Sequence, residues 1–188
     1  MTTHYVEIIL LPDPEFSHAH LLGALVGKLH RALARLQAND IGISFPGYSL
    51  RPRTLGTVLR LHGDEPALLR LVHTPWLQGM RDHVRLSELA PAPLEALHCL
   101  VQRRQFKTNV DRLRRRRARR KGETLEQSAA AIPDAVERRP DLPYVQLRSA
   151  STGQPFSLFI ALDKASTPTV SGGFNTYGLS QGATVPVF

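Results

Sequence analysis

The chain reads as α+β on three observations. The apolar patterns between residues 4 and 86 follow the order β-α-β-β-α-β, a dense arginine segment with helical spacing comes after them, and from Tyr144 onward the periodicity returns to two. The first pattern predicts a ferredoxin-like (βαββαβ) domain over residues 1–93. The rest predicts a basic C-terminal α+β domain over residues 94–188, carrying an arginine-rich helix at 109–121.

Each element has its own signal. Tyr5 to Leu11 is an apolar, β-rich run stopped by Pro12-Asp13-Pro14. Ser17 then opens a helix in which Leu22, Leu25, Val26, Leu29, Leu33 and Leu36 form one core-facing stripe, ended by Asn39-Asp40. Ile41 to Phe45 and Thr57 to Leu61 read as strands, closed by Pro46-Gly47 and Gly63-Asp64. Glu65 to Met80 is helical in type, with an interruption at Thr74-Pro75, and His83 to Leu86 supplies a further short strand. Ala90-Pro91-Ala92-Pro93 reads as a linker. Beyond it, Leu100 to Phe106 looks extended, and Thr124 to Arg138 looks helical, with a capping box at Thr124 and Gln127 and a break at Pro133. Tyr144 to Leu147 and Phe156 to Leu162 form a hairpin around Ser151 to Gln154. Phe174 to Leu179 and Thr184 to Phe188 are the last two expected strands.

Composition narrows the function. With 188 residues, 42% of them apolar, there is material for a real core. No apolar run reaches membrane-spanning length and Met1-Thr2-Thr3-His4 is no signal sequence, so a cytoplasmic protein without membrane partners is expected. A lone Cys99 excludes an internal disulfide and a Cys-x-x-Cys zinc site, His18-x-His20 lacks companion ligands, and Gly172-Gly173 has no Lys-Ser/Thr after it. Neither metal nor cofactor is expected.

Charge points to a polyanion. Residues 103–121 hold eleven Lys/Arg against one acid, a net +10, whereas the whole chain nets +8, so everything else sums to −2. On a helix, Arg112, Arg115, Arg116, Arg119 and Arg120 fall within an arc of roughly 140°. About ten residues of helix span roughly 15 Å, enough to meet phosphates on both sides of a groove. A solvated charge run is the common outcome for such composition, but this one is internal and followed by patterned sequence.

His30 is the histidine to single out. Gly23, Gly27 and Ala34 make its side of the helix a shallow slot, and Gly27 costs a helix interior nearly 1 kcal/mol, which implies a close approach to the backbone there. Spacing alone still favours a packing or surface histidine. RNA, however, carries its own nucleophile in the 2′-hydroxyl, and an imidazole near cations could cleave it. Ser149, Ser151 and Tyr177 offer hydroxyls for a ribose or for orienting the ring. Arg103 and Gln105 are residue types suited to base edges.

Several separated motifs agree with one family. They are His4-Tyr5, Pro12 to Phe16, Gly27-Lys28-Leu29-His30, Ile41 to Pro46, Arg112 to Arg116, Leu147 to Gln154, and Gly172-Gly173-Phe174 with Tyr177 to Ser180. In order and spacing the chain resembles the subtype I-F CRISPR repeat-processing endoribonucleases over essentially its full length. The resemblance implies His30 as general base, Ser149 holding the ribose and Tyr177 positioning the imidazole, while the sequence leaves Ser151 as the other candidate for the ribose contact. It implies Arg103 and Gln105 as readers at the foot of a stem, and Arg115, Arg116, Arg119 and Arg120 as a phosphate-gripping helix, to which Arg112 adds a cation on the same arc and Lys121 one at the helix end. Phe156 would stack on the terminal base pair. Lys121, Arg117, Pro155 and Val110 depart from the family pattern.

The implied activity is metal-independent cleavage of precursor CRISPR RNA at the 3′ base of a repeat hairpin. The implied partners are that RNA and the other subunits of a type I-F surveillance complex. The alternatives are a non-catalytic hairpin-binding cap and a general RNA-binding module of ribosomal type.

Overall fold

A computed structural model describes residues 2–105, 110–134, 141–149, 152–163, 165 and 169–188. The chain is mixed α+β, and among the described residues its strands pair antiparallel apart from an isolated parallel bridge, Gly173 to Gly182. Two compact units emerge. One joins Met1–Arg104 to Leu142–Phe188, and the other is Gln105–Asp141.

In the first unit, β1 (His4–Leu10) buries Val6, Ile8 and Leu10 on alternate positions, as a strand with one face on the core must. Helix α1 (His18–Leu36) is capped by Ser17, whose Oγ accepts from His20 N, and ends at Gln37 in the left-handed conformation. Its leucine stripe is the core: Leu22, Leu25, Val26, Leu29 and Leu33 are all buried. Removing a side chain of this kind from water contributes about 1.5–3 kcal/mol.

Next come β2 (Gly42–Ser44), a two-residue hairpin β3 (Ser49–Leu50) and β4 (Arg53–Thr54), β5 (Val58–Gly63), α2 (Glu65–Val72) and β6 (Val84–Leu86). The main sheet runs β2-β5-β1-β6, antiparallel throughout. The helix expected from Glu65 to Met80 stops at Val72, short of Pro75, whose ring cannot continue it. The Ala90–Pro93 segment begins as a strand. β7 (Ala90–Pro91) pairs with β1, His4 opposite Pro91, so this stretch is tied to the sheet. The units therefore divide the chain at Arg104 and Leu142, where the sequence alone placed the boundary after Pro93.

β8 (Leu97–Cys99) and β9 (Val101–Arg104) follow. After the second unit come β10 (Tyr144–Arg148), β11 (Pro155–Leu162), β12 (Gly173–Phe174), β13 (Ser180–Gln181) and β14 (Val185–Val187). The expected hairpin is β10 and β11, and β9 joins on the other side of β11, Arg103 opposite Ile160. β14 pairs with β8. The strand expected from Phe174 to Leu179 is instead a two-residue strand and a turn. Asn175 Oδ1 accepts from Tyr177 N at 2.8 Å and Leu179 N at 3.1 Å, and Gly178 takes φ +74°, which no continuous strand allows.

Helix α1 packs on β10, and the close approach lies one turn from where the sequence located it. A Cβ on Gly23 would stand 2.6 Å from the Gln146 carbonyl oxygen, whereas one on Gly27 would meet only side chains at 3.7 and 3.8 Å. Gly23 is thus the position that must lack a side chain.

Arg60 and His62 are among the polar residues built into the interior. Arg60 lies under Phe188, 3.9 Å from its ring centroid, with two nitrogens on Glu7 Oε1. His62 is fully buried, its Nε2 2.7 Å from Ser44 Oγ. Burial, helped by Arg60 and His98, holds its pKa down to about 3. Cys99 is a buried thiol, pushed up to about 11 by burial and then by Asp163.

The second unit holds α3 (Val110–Lys121) and α4 (Leu125–Ala131). The predicted capping box is formed: Gln127 N donates to Thr124 Oγ1 at 3.1 Å and Thr124 N to Gln127 Oε1 at 2.9 Å. The helix then ends before Pro133. Among the described residues no helix is long and apolar enough to cross a membrane.

Candidate catalytic site and nucleic-acid interface

The site in the first unit begins with the slot on α1. His30 sits on the stripe Gly23, Gly27, His30, Ala34, beside the buried leucines and half-buried itself. Across from it stands the turn that carries Tyr177. Several bonds hold that turn: Asn175 N donates to Leu179 O, Gly178 N to Asn175 O, and Ile43 N to Gly178 O at 2.9 Å. A Cβ on Gly178 would come within 2.6 Å of Ile43 Cγ2, so the loop is seated hard against β2.

This seating brings His30 and Tyr177 face to face. Their ring centroids are 3.9 Å apart and their planes differ by 4°. His30 Nδ1 lies 3.1 Å from the Thr176 carbonyl oxygen. A carbonyl only accepts, so in the neutral ring Nδ1 carries the proton and donates, and the lone pair is left on Nε2. The ring is therefore fixed in rotation by the stack and in tautomer by the backbone.

Both rings line a cleft of about 1220 Å³ that runs along α1 between the β3–β4 hairpin and β10. Lys28, Arg31, Arg35, Arg53 and Arg148 contribute to its walls, with His18 and His20 towards the start of the helix. Among the described residues, none that lines it is acidic. Lys28 Nζ donates to Gln78 O at 2.7 Å.

Ser149 follows Arg148 directly and opens the β10–β11 turn. Its N donates to Gln154 O, its carbonyl accepts from Gly153 N, and its Oγ accepts from Thr152 N at 3.3 Å. Phe156 is half-buried, opposite Leu147 in the β10–β11 ladder and packed against the core. Arg103 is exposed on β9. Ser151 lies outside the described residues.

In the second unit the arginines fall into two sets. Arg112, Arg115, Arg116, Arg119, Arg120 and Lys121 are exposed, and Gln105 is exposed as well. Arg114 and Arg117 are turned to the unit's own structure. Arg114 donates to Ile132 O at 2.9 Å and reaches Asp134 at 2.8 Å, and Arg117 grips both oxygens of Glu123 at 2.7 and 3.1 Å. That grip holds the Glu123 carboxyl below the usual carboxylate range. The predicted arc is thus the exposed one, because the two arginines outside it have acids and a helix end to bind.

Sequence reasoning passed over the cleft cations. Arg31 and Arg35 are an i, i+4 pair beginning one residue after His30, legible in principle but outweighed by the denser run downstream. Arg53 and Arg148 reach the same wall only through the tertiary fold.

Comparison with known proteins places these features in context. The family model described as CRISPR-associated protein (Cas_Csy4) matches residues 5–188. The chain is 45% identical over 185 residues to "CRISPR-associated endonuclease Cas6/Csy4" of Pseudomonas aeruginosa (strain UCBPP-PA14), covering 98% of this chain and 99% of that one. It is 41% identical, with the same coverage, to the protein of the same name from Escherichia coli (strain UTI89 / UPEC). A solved structure titled "An RAMP protein binding different RNA substrates" aligns over all of both chains at 10% identity and a TM-score of 0.37, too distant to carry an argument.

Proposed function

Since the chain belongs to the Cas_Csy4 family of CRISPR-associated proteins, we propose that it is a metal-independent endoribonuclease that binds CRISPR repeat stem-loops and cuts precursor RNA at the 3′ base of the hairpin. The observation that carries this reading is the His30 imidazole, stacked on Tyr177 and held through Nδ1 by Thr176, with Nε2 left to accept a proton in a cationic cleft.

The chemistry follows from those parts. His30 Nε2 takes the proton of the 2′-hydroxyl at the scissile nucleotide, and the 2′-oxygen attacks the adjacent phosphorus. The bond from phosphorus to the 5′-oxygen breaks, and that oxygen takes up a proton from the imidazolium or from water. The products are a 5′-hydroxyl and a 2′,3′-cyclic phosphate or its opened form. Charge building on the phosphate meets the cations of the cleft wall. Tyr177 keeps the ring aimed, and the hydroxyl of Ser149 or of Ser151 holds the ribose.

Binding belongs to the exposed face of α3. Arg112, Arg115, Arg116, Arg119, Arg120 and Lys121 grip phosphates in a groove too deep and narrow for base readout, so affinity comes from charge and shape. Arg103 and Gln105 read bases at the foot of the stem, and Phe156 stacks on its last pair. A ferredoxin-like unit, with the strand order β2-β5-β1-β6, carries the catalytic histidine. The protein works in the cytoplasm and stays on its product as a subunit of a type I-F surveillance complex.

Repeat RNA incubated in EDTA, with and without a 2′-deoxy at the scissile nucleotide, tests this. Cleavage of the ribose substrate alone is expected. Cleavage of both would overturn the 2′-hydroxyl mechanism, and binding without cleavage would leave only a hairpin cap.

A further inference from the structure

The cleft is longer than the catalytic pair needs. His30 and Tyr177 occupy one stretch of it, yet its walls follow α1 from His18 to Arg35, about 25 Å at the helical rise. Arg31 and Arg35 are exposed on this wall, and among the described residues no carboxylate pairs with either. Arg53 and Arg148 supply charge from the other sides. Tyr144, on the same wall, packs at a tilt against Phe159, ring centroids 5.3 Å apart, and still leaves 53% of its surface exposed in a cationic groove.

These features suit one occupant. A cavity of about 1220 Å³ is somewhat larger than the usual small-ligand pocket, with room to enclose a few unpaired nucleotides but not a length of duplex. Cations that follow a backbone together with an aromatic face for a base are the equipment of a single-strand site. We propose that the unpaired RNA immediately 3′ of the scissile phosphate, the strand that leaves after cleavage, lies in this cleft with its phosphates on Arg31 and Arg35 and a base on Tyr144. The assignment rests on the cleavage reading for its direction. With the stem on the 5′ side of the cut, the strand that can enter a cleft too small for a duplex is the 3′ flank.

The test is a binding measurement on uncleavable RNA, so it does not depend on turnover. Full-length protein is titrated with 2′-deoxy-blocked repeat hairpins that carry no extension, a 3′ extension or a 5′ extension of several nucleotides. In the wild type the 3′ extension is expected to tighten binding about tenfold at low salt, as two or three bound phosphates would. In the double variant Arg31→Ala/Arg35→Ala the ratio of affinities, extended over unextended, should fall towards one. The salt dependence on the extended RNA should flatten by about 1.4 in log–log slope, roughly 0.7 for each single-strand phosphate that is no longer neutralised.

Tyr144→Ala should lower the same ratio without changing the slope. Because a ratio is read within one preparation, a poorly folded variant moves both affinities and leaves it unaltered. A wild-type gain confined to the 5′ extension, no gain from either, or a gain that survives the double variant would overturn the proposal. Failure of cleavage in EDTA leaves this measurement standing.

Discussion

The Tyr177 ring covers the His30 imidazole at 3.9 Å, nearly parallel, while the carbonyl of the neighbouring Thr176 holds Nδ1. One turn therefore supplies both restraints on the imidazole. His30→Ala is expected to lower single-turnover cleavage by about 10²–10⁴-fold, the usual contribution of a general base, with hairpin affinity retained. Tyr177→Phe keeps the aromatic face and should stay near wild type. Tyr177→Leu should cost about tenfold in rate, in line with the worth of an aromatic pair. Equal losses for Phe and Leu would mean that the hydroxyl, not the stack, matters.

Glycines one helical turn apart should behave oppositely. Gly23→Ala drives a methyl to 2.6 Å from the Gln146 carbonyl and should destabilise the fold by about 1–3 kcal/mol, as overpacking does. Gly27→Ala meets only ordinary van der Waals neighbours and should stabilise α1 by up to about 1 kcal/mol through helix propensity. Urea unfolding of the two variants checks the pair.

The two arginine sets should separate in the same way. Replacing Arg115, Arg116, Arg119 or Arg120 by alanine should weaken RNA binding and reduce the salt slope by about 0.7 to 0.9 for each phosphate released, with thermal stability unchanged. Arg117→Ala breaks the two-pronged bond to Glu123 and should loosen the α3–α4 unit, seen as weaker helical circular dichroism and faster proteolysis.

Acid should unfold the protein partly through His62. Its pKa is about 3 in the fold and about 6.5 in the unfolded chain, so between these values the unfolded chain binds more protons and stability falls as pH drops. The loss from this group should reach about 3 kcal/mol at pH 4. Urea midpoints at pH 7 and pH 4 should therefore lie closer together for His62→Gln than for wild type.

Much of this architecture is legible in the residues, for identifiable reasons. The leucine stripe of α1, its Ser17 cap and the Thr124–Gln127 box are local patterns, and each is formed as read. The exposed arc of α3 follows from geometry, because 100° per residue sorts side chains whatever they touch. Features that depend on partners distant in sequence stay hidden. The β3–β4 hairpin and β7 are two residues per strand, too short for any period to show. Tyr177 reads as a strand residue because Phe174, Thr176 and Tyr177 are strand-favouring types, and only the Asn175 side chain with Gly178 at positive φ turns it back towards α1. Gly27 stands out in the sequence where Gly23 carries the constraint, since the obstructing carbonyl belongs to Gln146, far along the chain.

Thr2 Oγ1 donates to the Thr184 carbonyl, Phe174 N to Asn39 O and Ile43 N to Gly178 O. Residues in the first quarter of the sequence thus complete their bonding only with residues more than 130 positions away, and such distant closures form slowly. A nascent or truncated chain that ends before the Tyr177 turn would present His30 with nothing to lean on.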